Sequence, residues 1–89
     1  MHIEGKAFRG NKVYMLIDSE RDEADLDFSK QLENCLLEIT KALNVSPPLW
    51  MHKNTVEFAR LHKTFFPAEQ FMEKVNFDRL QITWLDDGR

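Results

Sequence analysis

Eighty-nine residues, of which 43% are hydrophobic and 30% charged, with seven Phe and two Trp, fit one globular domain spanning 1–89 and exclude a disordered chain. The single cysteine, Cys35, excludes an intramolecular disulfide, and no apolar run is long enough to span a membrane, so the sequence reads as a small soluble protein of a reducing cytoplasm. A net charge of −3 argues against a general polyanion binder, and a core this thin leaves a monomer only marginally stable, which points toward a homo-oligomer.

Two strand-like runs, 2–9 and 12–18, flank Gly10-Asn11, a turn signal that needs positive φ at its first position. A two-residue loop would place Lys6 beside Met15. A three-residue loop or a bulge instead aligns Ile3 and Ala7 with Val13, Met15 and Ile17, and is the better fit to the apolar parity. Val13 to Ile17 is apolar at every position, which predicts a central strand, whereas Gly5 and alternating charges give the first strand an edge-like character.

Asp18 to Asp27 holds six carboxylates and one Arg, and residues 18–40 together carry −6. Phe28, Leu32, Cys35, Leu36, Ile39, Ala42 and Leu43 follow at helical spacing, with Asp25 or Asp27 as the N-cap, Asn44 as a left-handed terminator and Pro47-Pro48 as a barrier to resumption. Asn54 to Glu57 resembles a capping box opening a shorter helix with Phe58, Leu61 and Phe65 on one face, and Pro67 begins one more helical turn. From Phe77 to Leu85, Leu80, Ile82 and Trp84 alternate with Arg79, Gln81 and Thr83, the clearest period-two pattern in the chain. The order is β-β-α-(short α)-β, an α+β fold whose three-stranded antiparallel sheet is packed on one face by the long helix. The strand from Phe77 is expected to pack on Phe28, Leu32, Leu36 and Ile39, so truncation before it should unfold the chain.

No P-loop, dinucleotide fingerprint or Ser-His-Asp order is present, and no catalytic residue, cofactor or metal is assigned. The acidic run lacks the glycine and terminal glutamate of a calcium loop, having Glu23 and Ser29 at those positions. His2, His52, His62 and Cys35 lack zinc-site spacing, and Cys35 on an apolar helix face reads as a small hydrophobe. Lys53, Arg60, His62 and Lys63, flanked by Trp50, Phe65 and Phe66, form the one basic and aromatic cluster, a mixture that can hold phosphates and stack bases.

Pro48-Leu49-Trp50, then Phe58, Arg60, Thr64 and Phe66, then Phe71 and Phe77-Asp78-Arg79-Leu80, resemble a group of small uncharacterised bacterial proteins of similar length. The resemblance is carried best by the C-terminal half. It implies a cytoplasmic bacterial protein and brings with it no activity, cofactor or site residue.

The sequence therefore favours a non-enzymatic protein-interaction module that self-associates, or binds another protein, through a sheet edge or through the aromatic segment Leu49 to Phe66. Trp50, Met51, Phe65 and Phe66 are the candidate interface, because aromatics and Met are favoured at interface cores. The competing class is nucleic-acid binding through Lys53, Arg60 and Lys63. A small enzyme is the third, and it would need a pocket holding His52 or His62 beside a carboxylate. No membrane partner is expected.

Overall fold

Gly10, at φ 61°, makes the turn that joins β1 (His2–Arg9) to β2 (Lys12–Glu20) in the computed structural model, which describes residues 1–85. Phe8 pairs with Val13 and Ala7 with Met15, so Tyr14 is the extra residue of a β-bulge. The bulge, rather than a longer loop, resolves the parity conflict: beyond it Ala7, Gly5 and Ile3 lie opposite Met15, Ile17 and Ser19.

The sheet has four strands, not three. β3 (Lys63–Pro67) and β4 (Arg79–Trp84) complete it in the order β2-β1-β4-β3, with every neighbouring pair antiparallel. The additional strand arises where the helical reading ran on too far. His62 enters the left-handed region at φ 58° and donates its N–H to Phe58 O, which ends the helix. Beyond that break the pattern has period two: Thr64 and Phe66 are buried, while Lys63 and Phe65 are exposed. Phe65 therefore does not share a helix face with Phe58, and Leu61 is exposed.

The strand positions are also the reverse of the expectation. β1 is central and the apolar β2 is an edge. Glu4 and Lys6 occupy the sheet face away from the helices, whereas Ile3, Gly5 and Ala7 are buried beneath them. Gly5 is required by close approach, because a Cβ there would lie 2.8 Å from Ile39 Cγ2.

α1 (Phe28–Ala42) lies over β1 and β2 and buries Leu32, Cys35, Leu36 and Ile39. Its N-cap is Asp27, whose Oδ1 accepts the Lys30 N–H at 2.8 Å, and Asn44 follows its end at φ 61°. α2 (His52–Leu61) packs on β3 from the same side. It starts ahead of the expected cap, with Met51 in the cap position. Asn54 serves it from within, Oδ1 accepting the Met51 N–H at 2.9 Å, and Glu57 accepts the Thr64 hydroxyl at 2.6 Å instead of reaching back. Pro67 closes β3 immediately before a 3₁₀ turn, Ala68–Gln70.

Leu80 and Ile82 of β4 are fully buried beneath the helices, and Trp84 stacks on Phe58 at 6.3 Å and meets Phe28 edge-on at 5.0 Å. Among the described residues, the opposite face of the sheet carries no helix. Among the described residues, no helix is long and apolar enough to cross a membrane.

Candidate interaction surfaces

The four aromatic-segment residues are divided between two faces of the sheet. Phe66 is fully buried against Trp50, with ring centroids 5.6 Å apart, so it belongs to the core rather than to an interface. Trp50 is partly exposed and its indole donates to Thr55 Oγ1 at 2.7 Å, and Met51 beside it is exposed. Phe65 lies on the helix-free face, displaced from the other three by strand alternation.

Lys53 and Lys63 converge with Phe65 rather than with Trp50. Lys53 Nζ lies 5.7 Å from the Phe65 ring centroid, and Lys63 is two residues away on the same face of β3. Arg60 is exposed on α2, two turns beyond Lys53. On the helix-free face Phe65 shares a row with Gln81 and Lys6, and Arg79 covers Phe8 at 4.2 Å.

Asn54 holds this edge together. Its Nδ2 donates to Thr64 Oγ1 at 2.8 Å and to the outward-facing carbonyl of Phe65 at 3.2 Å, and Gln70 Nε2 donates to its Oδ1 at 3.2 Å and to Leu49 O at 2.9 Å. One fully buried amide thus ties the proline-rich approach, α2, β3 and the 3₁₀ turn together.

The acidic run is spent on ordinary surface contacts. Arg21 donates to Glu23 at 2.8 Å, and Asn34 donates to the same carboxylate. Arg21 chiefly, with help from Asn34, lowers the pKa of Glu23, and the Ser46 N–H, donating at 2.9 Å, lowers that of Glu73. Among the described residues no three His, Cys, Asp or Glu side chains converge as a metal site.

Two features went unseen in the sequence. The first is the exposed edge of β2. Val13, Tyr14, Met15 and Leu16 are 38–59% exposed on a strand that, among the described residues, is paired on one side only. The odd residues of β2 turn their backbone groups toward β1, which leaves the N–H and C=O of Leu16 and Asp18 facing outward. The signal was present as an apolar run, but apolarity on both faces suits a buried strand and an unguarded edge equally well.

The second is a cleft of about 760 Å³ between α1 and α2. Leu32, Leu36 and Leu37 line one wall, Phe58 and Ala59 the other, and Trp50 and Trp84 also border it. His62 and Glu33 are on opposite walls, and Glu33 is 3.4 Å from Lys30 Nζ. The fold is thus an antiparallel four-stranded sheet with two helices on one face and an apolar cleft between them. No family model matches the chain, and no curated protein or solved structure matches it.

Proposed function

We propose that this protein is a non-enzymatic interaction module that self-associates, two copies joining antiparallel through β2 into one continuous eight-stranded sheet. The observation that carries this reading is the exposed apolar run Val13 to Leu16 on a nine-residue edge strand. Such an edge offers a row of unpaired backbone groups beside apolar side chains, and proteins usually blunt it with charge, proline or a covering element. Here Lys12, Asp18 and Glu20 place charge only toward its ends.

Pairing about a two-fold axis at Leu16 makes Leu16 a hydrogen-bonded partner of its own copy and sets Met15 opposite Ile17 of the second copy. Side-chain parity is kept across that junction, because Met15 and Ile17 are both on the helix side of their sheet. Because a two-fold contact is closed, it limits growth to a dimer. The free buried thiol of Cys35 suits the reducing cytoplasm in which such a module would work.

Size-exclusion chromatography with light scattering tests the reading. The native chain is expected to elute as a dimer and Leu16→Lys as a folded monomer. A native chain that stays monomeric into the high-micromolar range would overturn it.

The helix-free face supports a second reading, single-stranded nucleic acid held on Phe65, because Lys53 and Lys63 flank that exposed ring. It requires binding to a single-stranded oligonucleotide that weakens steeply with salt, and a flat titration at low salt eliminates it.

A further inference from the structure

The cleft between α1 and α2 differs from the rest of the surface in its chemistry. Charged residues make up 30% of the chain, yet among the described residues Glu33 is the one carboxylate in the cleft lining, and no Lys or Arg lines it. Glu33 pairs with Lys30 one turn away at 3.4 Å, so the one carboxylate of the described lining already has a counter-ion. α1 begins at Phe28 and α2 ends near His62, both beside Trp84, so the positive end of one helix and the negative end of the other also oppose each other there.

Its size favours a small molecule over a docked peptide helix. A helix 10–12 Å across fills roughly 400–600 Å³ per turn, so about 760 Å³ accommodates less than two turns. The same volume lies within the range of roughly 300–1,000 Å³ typical of small-molecule sites, which are mostly apolar with a few hydrogen-bonding groups. Ser29 and His62, both exposed, supply those groups at the cleft.

We propose that this cleft binds an uncharged, largely apolar small molecule with a hydroxyl or carbonyl group, its body lying against Leu36, Phe58 and Trp84 and its polar end toward Ser29 or His62. The site lies on the opposite side of the fold from the helix-free face and does not include β2, so it does not depend on dimer formation.

Both tryptophans of the chain, Trp50 and Trp84, line the cleft, which makes intrinsic fluorescence a direct readout. The experiment titrates the native protein and the Leu16→Lys variant with 4-phenyl-1-butanol, 4-phenylbutylammonium and 4-phenylbutyrate, three probes with the same apolar body. The alcohol is expected to give a saturable change and to bind about tenfold more tightly than either ion, because Glu33, the one carboxylate of the described lining, is already paired with Lys30 and leaves a desolvated ion without a free counter-charge. Ala59→Phe, on the exposed surface of α2, and Ser29→Phe, on the opposite wall, each place a ring in the space and should weaken alcohol binding by about tenfold or more with the circular dichroism unchanged. Three results would overturn the proposal: no saturable change with the alcohol, equal binding of the ions, or unaltered binding in both phenylalanine variants. So would dissociation of a dimer by Ala59→Phe but not by Leu16→Lys, which would identify a second copy as the occupant.

Discussion

The sheet's two edges are guarded very differently. β3 is five residues long, starts with Lys63, ends with Pro67, and has the outward carbonyl of Phe65 held by Asn54 of α2. β2 is nine residues long and exposes four consecutive apolar side chains, with only the bulge at Tyr14 to distort it. Covering an edge with a helix and ending it in proline removes it as a template for another chain, whereas leaving β2 open preserves one. The contrast is what gives the self-association reading its direction: the same fold that closes one edge leaves the other available.

The largest effect should come from removing the strand that connects the two halves. β4 lies between β1 and β3, so a chain ending at Asn76 loses both pairings and is expected to lose cooperative unfolding altogether, as followed by circular dichroism in denaturant. Asn54→Ala comes next. It strands several buried partners along the β3 edge and should cost about 3 kcal/mol in chemical denaturation. If it also promotes higher association through the released edge, the contrast between the edges is sharpened further.

Leu16→Lys tests the other edge and should do the opposite. It is expected to abolish the proposed dimer in light scattering while changing the stability of the monomer by only about 0.5 kcal/mol, because the side chain is exposed. Phe65→Lys, an equivalent change beside the guarded edge, should leave the dimer intact; loss of the dimer there would break the comparison.

The smallest effect is on acid stability. Glu23 and Glu73 have folded-state pKa values below the ordinary glutamate range, so each stabilises the fold above that range and loses its contribution as pH falls through the lowered value. Glu73→Gln should therefore lower stability slightly at neutral pH and flatten the decline measured below about pH 4.

Much of the architecture was legible because local chemistry and tertiary position agreed. Asp27 caps α1, Asn44 turns left-handed after it, and Leu80 and Ile82 are buried as their alternation requires. The errors share a cause: a residue pattern can satisfy two environments. Phe58, Leu61 and Phe65 have helical spacing, and only the left-handed turn at His62 converts the last of them into a strand residue. Thr64-Phe65-Phe66 before Pro67 was the available strand signal. Val13 to Ile17 reads as central because such a run is normally covered on both faces, whereas the structure places it at the sheet edge with Val13 to Leu16 exposed. Of the candidate site, Trp50 was recognised but the cleft was not, since its walls come from helices whose separation no local pattern encodes.

Gly5 gives the layer spacing an unusually sharp definition. With 2.8 Å between the position of an added Cβ and Ile39 Cγ2, residues 5 and 39 share a single allotment of volume across the sheet–helix boundary. Bulk introduced at one must be surrendered at the other, so the two positions are coupled: substitutions there should be strongly non-additive, and a larger residue at 5 becomes tolerable only with a smaller one at 39.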